Sequence, residues 1–321
     1  MTIRGLHHVT AFTESLDRNL SFYRELLGLR LVKRTVAYDD PYTHHLYYGD
    51  ATGAPGTVVT FSPWSDDEDV EQPVGGTVTT LSFAVPPTSL GYWTDRLAAH
   101  GVETERTERF DRSVLSFTDP DGLPLELVAA DVPGDPWDGE GVPTKYAVRG
   151  LFGVTLAVPD AEETGTFLED SFGYVLVGED DERLRYRSEA RVGAVIDVLR
   201  APPEEAVPVG PGHVHHAAFR VESAADQTNA SDAISALGMN VSPVLNRQYF
   251  RSMYFREPGG TVFELATDTP GFDVDEDPEA LGTELMLPEW LEDRRDDIEA
   301  HLPPLLAADE GDGEGESAGA D

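Results

Sequence analysis

Four stretches of this 321-residue chain repeat one order of strands and helix. Each stretch opens with a short apolar strand, at residues 6–12, 78–85, 151–158 and 214–221. A helical pattern follows each strand and is clearest over 16–27 and 225–237, and glycines then stand at the expected helix C-caps, at Gly28, Gly101, Gly173 and Gly238. A repeat of this length means that one supersecondary unit is used several times, which restricts the architecture more than any other feature of the chain.

The end of the unit is a hairpin. Asp119-Pro120-Asp121-Gly122 and Glu257-Pro258-Gly259-Gly260 have turn chemistry and lie between alternating strands. The predicted module is therefore β-α-β-β-β. Aligning the modules gives two equivalent sets, in the first strand His8, Thr80, Gly153 and His216, and in the last strand Thr60, Glu126, Asp197 and Glu264.

These patterns predict an α+β chain of four βαβββ modules. We place them at 1–64, 65–132, 147–202 and 203–270, with a Pro-, Gly- and Asp-rich linker at 133–146. A C-terminal extension, 271–306, is expected to hold a short helix within 285–305 that packs back on the modules. The acidic, Gly-rich residues 307–321 are expected to be disordered.

The charge is extreme, with 60 acidic against 23 basic residues and a formal net charge of −37. This balance argues against nucleic acid and anionic membranes as partners, since both require basic patches. No apolar run approaches the roughly 18 residues of a membrane span, no signal peptide is visible and cysteine is absent, so we expect a cytoplasmic protein. Self-repulsion of this size suggests a salt-loving source; an acidic mesophilic protein is the alternative. A homo-oligomer is compatible with the sequence.

Two His-His pairs begin equivalent strands, His7-His8 in module 1 and His215-His216 in module 4. Successive strand residues point to opposite faces, so one member of each pair can face the interior of the sheet. Two such imidazoles with the carboxylate of Glu264 would make a 2-His-1-carboxylate site, which binds Fe(II) on one face and leaves the other open for oxygen chemistry. Only modules 1 and 4 carry these residues, so module 1 must pair with module 4 and module 2 with module 3.

Several runs in order resemble the vicinal oxygen chelate superfamily of glyoxalases and extradiol dioxygenases, and most closely its ring-cleaving hydroquinone dioxygenases. The resemblance spans residues 3–305 and includes Gly5-Leu6-His7-His8-Val9-Thr10, His45-Leu46-Tyr47-Tyr48-Gly49-Asp50, Asn246-Arg247-Gln248-Tyr249-Phe250 and Arg256-Glu257-Pro258-Gly259-Gly260. It implies two half-open barrels, with the second member of each His pair as a ligand. The metal ligands are then His8, His216 and Glu264.

The same resemblance implies roles for further residues. His7 and His215 would stand behind the ligands, and one of them would act as a base that titrates near neutral pH. Arg247 and Tyr254 fall where the similar enzymes have polar groups at the substrate. Thr10 shares the strand face of His8, so its hydroxyl should reach the cavity. A third pair, His44 and His45, is interpreted as packing or substrate contact rather than metal binding.

The resulting hypothesis is a non-haem Fe(II)-dependent, extradiol-type dioxygenase, with Mn(II) as a substitute metal. Its substrates would be O₂ and a small aromatic, either a hydroquinone or a catechol-like phenol. A glyoxalase-type isomerase or lyase is the first alternative, although such enzymes usually have four protein ligands. A non-catalytic binding protein of the same fold is the second, although such proteins lack the His/His/Glu set.

Overall fold

Two eight-stranded sheets carry the fold in the computed structural model, which describes residues 3–65, 75–139, 141–200 and 209–305. The first sheet has the order β14-β15-β16-β13-β1-β4-β3-β2, with β1 Leu6–Thr13, β2 Arg30–Val36, β3 His44–Gly49, β4 Val58–Pro63, β13 Val214–Val221, β14 Leu245–Asn246, β15 Arg251–Arg256 and β16 Val262–Thr267. The second has the order β10-β11-β12-β9-β5-β8-β7-β6, with β5 Thr77–Val85, β6 Glu105–Arg109, β7 Arg112–Thr118, β8 Pro124–Ala129, β9 Leu151–Ala157, β10 Val175–Glu179, β11 Arg183–Arg187 and β12 Val195–Leu199.

The first strands of the modules join them in pairs. Strand β1 of module 1 is antiparallel to β13 of module 4, and β5 of module 2 is antiparallel to β9 of module 3. Within every module the first strand is parallel to the last. The predicted α+β class and the pairing of module 1 with 4 and of 2 with 3 are confirmed; the exact module boundaries stay predictions.

The helices lie where the repeat requires them, with one difference in type. They are α1 Leu16–Leu20, α2 Leu90–Ala99, α3 Ala161–Phe172 and α4 Ala224–Ala236. The helix expected over 16–27 continues after α1 as a π-helix, Ser21–Leu26, closed by a bond from the Leu27 amide to the Phe22 carbonyl. Within this wider turn the buried Tyr23 donates its hydroxyl proton to Asp119 of module 2 at 3.0 Å. That long-range bond is invisible in the local helical pattern.

The hairpin turns also join neighbouring modules. Asp119 accepts the amides of Asp121 and Leu123, and Glu257 accepts those of Gly259 and Thr261, all at 2.8–2.9 Å. Each carboxylate also accepts a side-chain hydroxyl from another module, Asp119 that of Tyr23 and Glu257 that of Thr164. The acidic residue that begins each turn therefore holds the turn amides and joins the turn to the neighbouring module.

The inner face of the second sheet is filled. Glu126 accepts bonds from Arg109 at 2.8 and 3.0 Å and from Ser82 at 2.8 Å. Asp197 is held by Arg185 through two bonds of 2.7 Å, and the same guanidinium lies 4.5 Å from the ring centre of Phe110. Arginine and aromatic side chains thus occupy the place where the first sheet has a cavity.

The C-terminal extension packs against module 1. Its helix α5, Arg295–His301, follows a 3-10 turn, Glu289–Arg294, and Leu287, Leu291 and Ile298 cluster with Val36 of β2. Lys33 is fully buried and pairs with Asp275 at 2.7 Å and with Glu276. The expected helix within 285–305 is thus present, whereas the tail expected over 307–321 lies outside the described residues. In the part of the chain described, no helix is long and apolar enough to cross a bilayer.

Candidate metal and substrate site

His8, His216 and Glu264 converge on the inner face of the first sheet. They lie on β1, β13 and β16, and all three are buried. The Nε2 atoms of the two histidines are 3.4 Å apart. Oε2 of Glu264 is 2.8 Å from Nε2 of His216 and 3.5 Å from Nε2 of His8.

No other group of three His, Asp or Glu side chains in the described ranges brings its ligand atoms within 4.8 Å. Both Glu264 oxygens are buried and lack a donor of normal hydrogen-bond geometry among these residues, even though His216 is close. Burial would raise the pKa of Glu264, but His8 and His216 hold it well below its ordinary value, and burial lowers the pKa of His216. Two imidazole Nε2 atoms beside a buried carboxylate that has no donor of normal geometry fit a divalent cation.

The first member of each pair orients the second. His7 Nδ1 lies 3.0 Å from His8 Nδ1, and His215 Nδ1 lies 2.6 Å from His216 Nδ1. A metal-binding histidine donates its other ring N–H to a neighbour, so His8 and His216 would donate and turn Nε2 toward Glu264.

Burial lowers the pKa of both His7 and His215 to about 3, so both are neutral acceptors at pH 7. This differs from the expectation that one of them titrates near neutral pH, because that expectation took no account of desolvation in the sheet interior.

A cavity of about 370 Å³ opens at two of the three residues, His8 and His216, with Glu264 buried behind them. Its walls include side chains from both modules, among them Thr10, Phe12, His45, Tyr47, Phe250 and Tyr254. The volume lies within the range of small-molecule sites, and the mixture of aromatic and polar walls suits a small aromatic ring. Thr10 faces this cavity, as its place two residues after His8 requires.

Arg247 and Tyr254 form the polar wall beside His216. The Tyr254 oxygen is 3.5 Å from Arg247 Nη2 and accepts a bond from Ser252 at 3.3 Å, and its ring centre is 5.3 Å from that of His216. Burial raises the pKa of Tyr254, so the hydroxyl keeps its proton. Burial opposes the charge of Arg247, but Tyr254 and Asp39 raise its pKa above the ordinary value. A protonated tyrosine that accepts two bonds still has its own O–H to donate.

Two segments meet at the cavity mouth. The Tyr38 hydroxyl donates to the Arg247 carbonyl at 3.4 Å, and Asp39 lies 3.4 Å from the Arg247 guanidinium. The run 246–250, which carried part of the resemblance, therefore lies beside residues 38 and 39 of module 1.

The third His pair divides between two environments. His44 is buried and faces away from the cavity, where Nε2 donates to the Pro303 carbonyl of the C-terminal extension at 2.8 Å. His45 faces the cavity and bonds Thr60. Sequence reasoning left His45 between packing and substrate contact. The signal that could have decided is that His45 shares a strand face with Tyr47, the residue that pairs with Thr60.

Comparisons with known proteins agree with this geometry. A family model described as the Glyoxalase/Bleomycin resistance protein/Dioxygenase superfamily matches residues 5–127 and 150–265. A Bacillus subtilis (strain 168) protein named "Putative ring-cleaving dioxygenase MhqE" is 44% identical over 307 residues, covering 95% of this chain and 100% of that protein.

Two further relatives have similar coverage. Chlorohydroquinone/hydroquinone 1,2-dioxygenase of Sphingobium indicum is 34% identical, over 92% of this chain and 95% of that protein. A crystal structure of a putative dioxygenase from Bacillus subtilis superposes with a TM-score of 0.89 at 38% identity, over 95% of this chain and 98% of that one. Both sheets and the approach of modules 1 and 4 thus fall within the matched region.

Proposed function

The chain belongs to the Glyoxalase/Bleomycin resistance protein/Dioxygenase superfamily, and from that premise we propose that it is a non-haem Fe(II) ring-cleaving dioxygenase of hydroquinones or catechol-like phenols. Relatives at 34–44% identity that span nearly the whole chain carry the names of ring-cleaving or hydroquinone dioxygenases. Mn(II) is the substitute metal, and O₂ is the second substrate. Because fold alone does not fix chemistry in this superfamily, the proposal depends on the site.

The observation that carries the proposal is the set of three converging acceptor atoms, with a cavity on its open side. His8, His216 and Glu264 would hold the metal, and each imidazole is already oriented by its neighbour in the pair. Bound there, Fe(II) would supply Lewis acidity toward a phenol oxygen and the electron transfer that O₂ requires. Three protein ligands leave positions open for both substrates.

The surrounding residues would bind and orient the ring. The Tyr254 hydroxyl, which accepts from Arg247 and Ser252, has its proton free to donate to an oxygen of the substrate. Arg247 places a positive charge behind that hydroxyl and favours a negative substrate oxygen. Phe250 and Phe12 supply apolar walls and exclude water, and Thr10 offers a hydroxyl beside His8.

The glyoxalase-type alternative is disfavoured by one position. In module 1 the residue equivalent to Glu264 is Thr60, which lies opposite Thr10 as Glu264 lies opposite Ala218. Threonine offers no carboxylate for a fourth ligand, and its hydroxyl is engaged by His45. The second alternative, a non-catalytic binding protein of the same fold, is disfavoured because such a protein has no need of three buried metal ligands.

The test is oxygen uptake by protein reconstituted anaerobically with ferrous iron and supplied with hydroquinones and catechols. Rapid uptake that is lost in His8→Ala, His216→Ala and Glu264→Ala supports the proposal. Glu126→Ala is the matched control, since Glu126 occupies the same module position in the filled sheet. Absence of uptake with fresh iron and every diol tested would exclude the dioxygenase, and isomerisation of a thiol adduct of an aldehyde would favour the glyoxalase alternative.

A further inference from the structure

His45 stands apart from the residues that hold the metal or flank it. It lies on β3, with Thr60 on the adjacent strand β4, while His8 and Thr10 lie one strand further on. Arg247 and Tyr254 come from the other module. His45 therefore lines the cavity from module 1, whereas Arg247 and Tyr254 line it from module 4.

One ring nitrogen of His45 is engaged and the other is not. Nε2 bonds the hydroxyl of Thr60. Nδ1 has no hydrogen-bond partner among the residues that the structure describes. Nδ1 of His44 and of His213 also lack partners but are fully buried, whereas Nδ1 of His45 is not fully buried. Because this nitrogen is unpaired and accessible and its side chain lines the cavity, it can form a hydrogen bond to a ligand bound there.

The imidazole is also held in place before any ligand arrives. Its ring stacks on that of Tyr47, with centres 4.6 Å apart and planes 14° apart. Burial lowers the pKa of His45 to about 3, so the ring is neutral at pH 7 and can donate or accept according to the direction of the Thr60 bond. A fixed polar group of this kind costs little ordering entropy when it binds a ligand.

Diol isomers differ in where they require such a group. A catechol has adjacent oxygens, and both can lie at the metal. A hydroquinone that places one oxygen at the metal directs the other to the far side of the ring, where a buried hydroxyl needs a partner. The unengaged nitrogen of His45, on the module 1 side of the cavity, can meet that need.

We propose that His45 is a specificity-determining residue whose Nδ1 hydrogen-bonds the ring hydroxyl that does not bind the metal, so that the site favours 1,4-diols over 1,2-diols. The inference rests on the proposed function for the placement of the first oxygen at the metal. It does not depend on turnover, because it concerns the binding of the second oxygen.

The experiment measures anaerobic dissociation constants on the full-length, Fe(II)-loaded chain by calorimetry. The ligands are hydroquinone and phenol, which differ only in the remote hydroxyl, and the proteins are wild type, His45→Leu and His45→Gln. Wild type should bind hydroquinone more tightly than phenol. His45→Leu should raise the dissociation constant of hydroquinone by roughly 5- to 150-fold and change that of phenol by less than threefold. His45→Gln, which keeps a polar group, should restore part of the difference.

His44→Leu is the matched control, because His44 is the neighbour of His45 on the opposite face and bonds Pro303. It should leave the ratio of the two constants unchanged. Iron content is measured for each variant. Equal binding of hydroquinone and phenol by wild type, equal weakening of both by His45→Leu, or loss of iron in that variant would overturn the assignment.

Activity separates this inference from the proposed function. With turnover, His45→Leu should lower kcat/KM for hydroquinone by the same factor and leave 4-methylcatechol within threefold. A chain that loses its discrimination of hydroquinone from phenol in His45→Leu but consumes no O₂ would support His45 and exclude the dioxygenase. A chain that consumes O₂ and whose binding and turnover of hydroquinone are unchanged in His45→Leu would support the dioxygenase and overturn the role of His45.

Discussion

Replacing Glu264 with glutamine should have two opposite effects, a loss of metal binding and a gain in stability of the metal-free protein. Glu264 is fully buried, its Oε2 faces His216 and His8, and neither oxygen has a donor of normal geometry in the described part of the chain. The amide of glutamine has the same shape, no charge and two N–H groups that can donate to a neighbouring Nε2. One satisfied hydrogen bond in place of an unsatisfied buried acceptor is worth about 1–3 kcal/mol.

The matched control carries the same substitution at the equivalent position of the other sheet. Glu126 accepts bonds from Arg109 and Ser82, so Glu126→Gln removes a charged acceptor from a partly buried guanidinium and should destabilise the fold by about 1–3 kcal/mol. The free energy of unfolding is thus expected to rise in Glu264→Gln and to fall in Glu126→Gln, although the chemical change is identical. The difference follows from the partners that each carboxylate has.

The assay is thermal unfolding with and without Fe(II) under anaerobic conditions. For a chain of this size, 1 kcal/mol corresponds to roughly 2–4 °C in Tm. Saturating wild type at about 100 times Kd should add about 2.7 kcal/mol, whereas Glu264→Gln should show no metal-induced shift. A metal-free Glu264→Gln that is less stable than wild type, or one that still responds to iron, would refute the reasoning.

Three further predictions concern orientation, protonation and charge. His7→Phe and His215→Phe should each weaken iron binding by about 10- to 100-fold in a chelator competition, since the Nδ1 bonds that aim the ligands are lost; unchanged affinity would contradict the orienting role. Burial holds the pKa of His7, His45 and His215 at about 3 in the folded chain, below the unfolded value near 6.5. Between these two values the unfolded state binds more protons than the folded state. The free energy of unfolding of the metal-free protein should therefore fall by about 1.4 kcal/mol per histidine for each pH unit on acidification below about 6.5. Urea unfolding at pH 7 and pH 5 measures this, and equal midpoints would contradict it. With a net charge of −37, stability should rise from dilute buffer to molar KCl, where the Debye length is about 3 Å; a midpoint independent of salt would exclude a salt-adapted surface.

The sequence predicts the parts of this molecule that depend on local chemistry and on the repeat. Turn residues such as Asp119 and Glu257 identify the hairpins, and the repeat identifies equivalent strand positions. Among the four aligned first-strand positions only those of modules 1 and 4 hold histidine, which was sufficient to predict which modules pair. Strand alternation then places Thr10 on the cavity side.

What the sequence leaves open depends on contacts between distant residues. Alternation shows that one member of each His pair faces inward but does not identify which one, so the choice of His8 and His216 needed the family resemblance. The π-helix is accompanied by a bond between Tyr23 and Asp119, which the local helical pattern does not contain. The filled inner face of the second sheet depends on Arg185 reaching Asp197 and Phe110, two contacts that no local pattern specifies.

The most direct test of the account is the fate of oxygen in a single reaction. Protein reconstituted with Fe(II) is supplied with hydroquinone under isotopically labelled O₂, and the ring-opened product is analysed by mass spectrometry. The account predicts that both labelled atoms appear in the product and that none appears with Glu264→Gln. Oxidation to the quinone without label, or full labelling in the variant, would contradict the assignment of His8, His216 and Glu264 as the iron site of a ring-cleaving dioxygenase.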